Sequence, residues 1–396
     1  MELLPRTMGT RPRLACEVRA EGVVAARAED ASAVLSAVAR VGLADGVVVP
    51  HLRTGEAGVT VASPIGNSAA EGFVGSVAAG AAGRAKLVAA VKSALEAVSL
   101  KTRDVTLVVP DAAVRVLLLD FDELPAKAAE ALPVVRFRLK KLLPFDADDA
   151  AVSYQVMATL RGVVQVIAVA MPREVLADYE SVVREAGFEP GAILPSTLAA
   201  LAGLDEGEIP RLVVNAGREG VTTAIVKGGL LLLHRTVDLG MDMASRARAA
   251  EAVVEAANEA REENSISAIA ARLAAAGSHA PVAGSQIPVI AAETVFEGSV
   301  TAPAGEVAQA VSVAAAYFED TLEATPAVVL AAGTLGAEAL IRVLDDAGVG
   351  AGMGMGTVAV QEMVDRQMLG AGATSAGQAG GVPLGWLAGV RGALAN

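Results

Sequence analysis

Two stretches about half the chain apart open in the same way. "RLACEVRAEGVVAARAE" has strand-like runs from Leu14 to Val18 and from Gly22 to Arg27, around a polar turn at Arg19–Glu21. "RLVVNAG" is again a buried strand closed by a turn, and "TTAIVKGGLLLLHRTVDLG" after it is a hairpin turned at Gly228-Gly229. A chain that starts a strand hairpin twice reads as two related α/β lobes with a cleft between them. Its 396 residues are too many for one ordinary core, which agrees with that division.

The intervening pattern fills in the first half. Residues 42 to 83 are rich in Gly and Ala and carry no clear period. "AKLVAAVKSALEAVSL" then sets Leu87, Val91, Leu95 and Val98 three or four apart, the spacing of an amphipathic helix. "DVTLVVP" and "VRVLLLDF" read as a strand pair about the turn Asp111-Ala112-Ala113, and a helix follows Pro125 as far as Leu143. "AVSYQVMATL" and "VVQVIAVAM" form a hairpin at Arg161-Gly162, and "PREVLADYESVVREAG" is a helix from Pro172 to its stop at Gly187. Residues 114–189 thus read as a small α+β module inserted in the first lobe.

The expected division is a tail over 1–13, a first lobe over 14–113 that is resumed over 190–210, and a second lobe over 211–240 and 325–396. A second-lobe subdomain covers 241–324. It contains a charged helix over 243–263 and an irregular Ser/Ala/Pro/Gly-rich insertion over 264–304. "EVAQAVSVAAAYFEDTLEA" is a helix, "PAVVLAAGTLGAEALIRVLDDAG" is strand, glycine turn and helix, and "LGWLAGVRGALA" is a terminal helix.

Bulk properties remove several function classes. Hydrophobic residues make up 53% and aromatics 3%, as in an Ala/Val-rich α/β protein, and the formal charge of -13 opposes general binding to nucleic acid. One cysteine, Cys16, rules out an internal disulfide framework and fits a reducing compartment. The opening residues lack a secretory apolar run. The most apolar segment, "GFVGSVAAGAAGRAKLVAAV", is interrupted by Arg84 and Lys86, so a cytoplasmic location is expected.

Motifs for familiar chemistry are missing. No Gly-Lys dipeptide exists to complete a P-loop, and "GVGAGMGMGT" misses the dinucleotide fingerprint and reads as a flexible loop. His51, His234 and His279 stand far apart without a second ligand at metal spacing, and no nucleophile–base pair can be assigned. No catalytic residue and no metal set is therefore named. Glycine turns after strands remain, at Asn215-Ala216-Gly217 and Ala332-Gly333-Thr334, where backbone amides can hold phosphate.

At "VPDAAVRVLLLDFDELP…VRFRLKKLLPFDADDAAVSYQV" the chain resembles PilM, the actin-like cytoplasmic component of type IV pilus assembly, and more distantly the division protein FtsA. The resemblance is specific over 104–190. It runs more loosely through "LVVNAGREGVTTAIVKGGLLLLHRTVDLG", "AAAYFEDTLEATPAVVLAAGTLG" and "GWLAGVRGALA". It implies a two-lobed actin-like ATPase fold with the 114–189 module inserted in the first lobe. It also implies a PilN-like inner-membrane partner whose N-terminal tail is captured, contact with other pilus platform components, and membrane association only through that partner. Many relatives hold ATP and magnesium in the cleft.

Carried across by position, the first phosphate turn matches Glu17-Val18-Arg19-Ala20-Glu21-Gly22, the second Asn215-Ala216-Gly217, and the adenosine-side turn Ala332-Gly333-Thr334. Glu17 and Arg19 put bulk and charge where phosphate sits in such relatives, and Asn215 lacks the charge that orients hydrated magnesium. Weak or absent ATP hydrolysis is expected. The competing readings are an active ATPase of the same fold and an FtsA-like adaptor with a C-terminal membrane helix, for which "GWLAGVRGALAN" is a poor anchor. The partner surface is expected on "VRFRLKKLLPFDADD". There Leu132, Val135, Leu139, Leu142 and Leu143 face inward, while Arg136, Phe137, Arg138, Lys140 and Lys141 occupy the outer arc. Phe137 is the expected anchor and Arg136, Lys140 and Lys141 its rim.

Overall fold

A computed structural model describes residues 12–30, 32–44, 47–54, 59–62, 73–77, 81–205, 207–239, 304–324, 326, 328–349, 359–370 and 382–395. The chain divides into two compact units, Met1–Leu239 with Thr301–Asn396, and Gly240–Val300. The second unit lies outside the described residues, as do the helix expected over 243–263, nearly all of the 264–304 insertion, His279 and most of "GVGAGMGMGT".

The first unit is built on one topology used twice. Strands β1 (Leu14–Arg19), β2 (Gly22–Ala28) and β3 (Leu35–Gly42) form an antiparallel meander. Two short strands, β4 (His51–Thr54) and β6 (Phe73–Val77), pair with each other, and β5 (Val59–Ala62) lies between them in sequence. Helix α1 (Ala81–Val98) leads to β7 (Asp104–Val109), which runs parallel to β1. Strand β11 (Glu189–Pro195) runs parallel to β7, so the first sheet has the order β11-β7-β1-β2-β3.

The second sheet repeats this. Strands β12 (Arg211–Ala216), β13 (Gly220–Lys227) and β14 (Leu230–Asp238) form the meander. Strands β15 (Val328–Gly333) and β16 (Ala359–Glu362) add in parallel on the other side of β12. Strand β5 adds a sixth, antiparallel member on β14, so a strand from the first half closes an edge in the second. The two hairpin openings read from the sequence are β1–β2 and β12–β13.

Between the halves, β8 (Arg115–Phe121), β9 (Ala150–Leu160) and β10 (Val163–Pro172) make a three-stranded antiparallel sheet of order β8-β10-β9, accompanied by α2 (Ala128–Leu139) and α3 (Arg173–Glu185). The β9–β10 turn falls at Arg161-Gly162, both with positive φ, the two-residue geometry that suits the right-handed twist of paired strands. The expected pairing of β7 with β8 does not occur. A 3-10 turn at Asp111–Ala113 instead carries the chain out of the five-stranded sheet into the three-stranded one. Helix α2 is also shorter than expected, giving way to turns at Lys140 ahead of Pro144.

Burial follows the periodicities. On α1, Leu87, Val91, Leu95 and Val98 enter the core of the first sheet, as do Val175, Tyr179, Val182 and Val183 of α3. A second core lies between the six-stranded sheet and the helices Ala304–Leu322 and Gly336–Asp346. A third joins Val135 and Leu139 of α2 to Leu117, Val166 and Ala168 of the small sheet. Burying each large apolar side chain contributes about 1.5–3 kcal/mol. The helix α4 (Ser196–Ala202) and the terminal helix Ala388–Leu394 pack against each other where the first core approaches the cleft. Gly392 permits this, because a Cβ there would lie 1.8 Å from the Ala199 carbonyl oxygen.

Candidate functional site

The parallel strands of both sheets end on one side, and six of the buried polar side chains among the described residues gather there. Glu17 and Arg19 stand near the end of β1, Asp111 follows β7, Ser196 and Thr197 follow β11, Asn215 lies in β12, and Thr334 follows β15. Ligand sites in α/β sheets occur at the carboxyl ends of strands for this topological reason. Glu17, Arg19, Asp111, Ser196, Thr197 and Asn215 are all buried.

Each of these groups is held by another. Glu17 Oε1 accepts hydrogen bonds from Arg19 Nε at 2.7 Å and from Ser196 Oγ at 2.7 Å. Arg19 Nη2 donates to Ser196 Oγ at 2.6 Å and to Asn215 Oδ1 at 2.8 Å. Because a guanidinium only donates, it fixes Asn215 with its oxygen toward Arg19 and its amide nitrogen toward Ser196 and Thr197. That nitrogen donates to Ser196 Oγ and Thr197 Oγ1, both at 2.9 Å. Asp111 completes the chain by accepting from the Thr197 backbone N–H at 3.1 Å and from its hydroxyl.

A second set of bonds crosses beside the first. The Glu21 carboxylate, from the β1–β2 turn, accepts from the Arg218 backbone N–H at 2.5 Å and from Thr334 Oγ1 at 2.7 Å. The Thr334 and Leu335 N–H groups donate in turn to the Ala216 carbonyl. Gly333 must be glycine here: its φ is +84°, and a Cβ would meet Ala216 O at 2.3 Å.

Charge in this space is strongly coupled. Burial pushes the Glu17 carboxyl up, while Arg19 and the Ser196 hydrogen bond pull it back. Burial opposes the charge of Arg19, but Glu17, Glu21 and Asp111 more than offset it, and the guanidinium stays protonated. Burial, with Glu21 and Asp238 nearby, pushes Glu219 up to about 8. The Glu17 Oε2 atom has no hydrogen-bond partner, and Gly389 of the terminal helix lies against it, a Cβ there falling 2.6 Å away.

Most residues singled out from the sequence meet here: Glu17, Arg19, Asn215, Ala216, Gly217, Ala332, Gly333 and Thr334 line or support the three converging turns. Gly22 instead packs on β3, where a Cβ would fall 2.4 Å from the Val41 carbonyl oxygen. Asp111, Ser196, Thr197 and the anchoring role of Glu21 were not anticipated. The opening left between Arg19, Glu21, Asp111, Asn215, Arg218 and Glu219 measures about 30 Å³, room for roughly one or two waters. The Glu21 carboxylate would repel a phosphate in this opening and the Arg19 guanidinium would repel a metal cation, so the groups as they stand do not fit ATP with magnesium. No three His, Cys, Asp or Glu side chains form a metal set among the described residues.

The segment expected to carry a partner is only partly free. Phe137 is 66% exposed, and Lys141 Nζ lies 5.6 Å from its ring centroid, a cation–π distance. Arg136, expected on the outer arc, turns back to the Ala147 and Ala150 carbonyls, and Lys140 pairs with Asp148 at 2.5 Å. Those two cations satisfy the loop after α2 and so do not stand as a free rim. The terminal helix is buried from Ala388 to Val390 and from Gly392 to Leu394, which removes the membrane-helix reading for this segment. No helix among the described residues is long and apolar enough to cross a membrane.

No protein-family model matches the chain, and no curated protein matches it in sequence. Among solved structures, a chain of the "PilM-PilN type IV pilus biogenesis complex" is similar at 18% identity and a TM-score of 0.61, with 97% of this chain and 98% of that one covered. The ethanolamine utilization protein EutJ from Carboxydothermus hydrogenoformans is a looser likeness, with a TM-score of 0.37, 12% identity, and 100% and 94% covered. The cytoplasmic domain of EpsL from the Vibrio cholerae type II secretion system gives 0.34, 13% identity, and 57% and 71% covered. With its duplicated sheets and an almost end-to-end match to the first structure, the chain has the two-lobed α/β actin-like fold found in the PilM–PilN complex.

Proposed function

We propose that this chain is a cytoplasmic, PilM-type scaffold of type IV pilus assembly. It captures the N-terminal tail of a PilN-like inner-membrane protein, and through that protein meets the membrane and the other platform components. The observation that carries the reading is the likeness to the PilM–PilN structure over nearly the whole of both chains. The site adds a restriction. Most polar groups of the cleft bond to one another, several across the lobes, so the scaffold keeps its shape without nucleotide and has weak or no ATPase activity.

The exposed Phe137 ring with Lys141 against it is the proposed anchor for the tail, since aromatic residues are enriched in interface cores. Arg136 and Lys140 shape the loop beneath it. A synthetic PilN-type tail titrated into the purified protein tests the reading. Binding is expected with and without magnesium-ATP, and Phe137→Ala should weaken it by about tenfold or more without lowering the melting temperature. Absence of binding would reject the scaffold reading. Unchanged affinity of the variant would move the anchor elsewhere, and steady ATP turnover would reject the restriction on the cleft.

A further inference from the structure

We propose that Glu21 is a built-in anion: its carboxylate occupies a cradle suited to a phosphoryl group and thereby latches one lobe to the other. The cradle is made by the second lobe. It consists of the Arg218 backbone N–H, which reaches Glu21 Oε1 at 2.5 Å, the Thr334 hydroxyl at 2.7 Å, and the bare face of Gly217. A Cβ on Gly217 would lie 3.0 Å from Glu21 Oε1, 3.2 Å from Thr334 Oγ1 and 3.3 Å from Arg19 Nη1, so the glycine keeps open the point on which these groups converge. A turn amide, a hydroxyl and a nearby guanidinium around a glycine are the donors that hold small oxyanions.

In this chain the oxyanion is supplied by the protein, from a turn 197 residues before Arg218 and 313 before Thr334. Both hydrogen bonds cross from the first lobe to the second, so the carboxylate that fills the cradle also holds the lobes together. A tethered anion competes at high effective concentration, on the order of millimolar or above, so a free phosphoryl group is excluded while the tether stays charged. The inference rests on the two interlobe hydrogen bonds of Glu21 and not on the identity of any partner.

The test uses the full chain, Glu21→Gln and Glu21→Ala, each melted in rising inorganic phosphate at constant ionic strength. Without phosphate, both variants should melt below the parent, because the interlobe bonds are weakened or lost. Phosphate should then raise the melting temperature of the variants, by about 2 °C at ten times Kd, and bind the parent at least about tenfold more weakly. Glu21→Gln keeps the volume and one acceptor, so it remains measurable should Glu21→Ala fail to fold. No phosphate response in either variant overturns the cradle. A parent response as strong as the variants' overturns the role of Glu21. Tail binding is measured separately, so failure of the scaffold reading leaves this result standing.

Discussion

Arg19→Met isolates the central ion pair of the cleft. Methionine keeps most of the side chain's apolar stem but removes the guanidinium that donates to Glu17, Ser196 and Asn215. Glu17 is fully buried, with Oε2 already unpartnered, so it cannot remain ionised without the cation. Taking up a proton at pH 7 against an ordinary carboxyl value near 4.5 costs at most about 3.4 kcal/mol, at about 1.4 kcal/mol per unit, because the already raised Glu17 of the parent bears part of it. This agrees with the ~3–5 kcal/mol typical of breaking one side of a buried pair.

The sign of the pH dependence follows. In the variant, the folded-state value of Glu17 rises further above its unfolded value. Relative to the parent, the penalty is therefore largest above the variant's folded value and shrinks as pH falls toward the parent's own raised value. Urea unfolding followed through Trp386, the single tryptophan and fully buried, reports it at pH 7 and pH 5. Adding Glu17→Gln should recover all but about 1 kcal/mol, since both charges are then gone. A loss under about 1 kcal/mol at pH 7, or a penalty that does not change with pH, would refute the account of a desolvated pair.

Three further outcomes test other parts of the structure. Gly392→Ala should destabilise by about 1–3 kcal/mol or more in thermal melts, because the new methyl meets the Ala199 carbonyl and must lift the terminal helix from α4; a neutral result would mean the two helices separate at no cost. Glu219, whose folded value is about 8 against 4.5 unfolded, contributes stability that is complete below pH 4.5 and is lost as pH rises to 8, so Glu219→Gln should flatten the melting-temperature slope across that window. Burial and the neighbouring Glu17 push the Cys16 thiol far up, so iodoacetamide should label it in urea but not in the native protein at pH 8; native labelling would show that β1 opens.

What could be read ahead of the structure divides by the distance over which the signal acts. Arg161-Gly162 and Gly228-Gly229 declare their hairpins locally, since both turns need positive φ at adjacent residues. The four apolar positions of α1 do the same through their spacing. Strand partnership has no such local signature. β7 and β8 are separated by three turn residues, as hairpin strands often are, yet they belong to different sheets. Helix α4 escaped because its seven residues have no polar face: from Ser196 to Leu201 every side chain is buried. Asp111 lies 86 residues before Thr197, and Asn215 18 residues after it, so these site partners were invisible as a group. One topological clue does bring them into view. Pro110-Asp111 ends β7, Pro195-Ser196-Thr197 ends β11, Ala216-Gly217 ends β12 and Gly333-Thr334 ends β15, and each of these strands is parallel to its neighbour. Once the strands are known to be parallel, the polar residues just past their ends must face one another across the cleft. The charges of Glu17 and Arg19, an obstacle to phosphate when read singly, then form one bonded pair, and Glu21 beside them becomes the group whose removal should reopen the site.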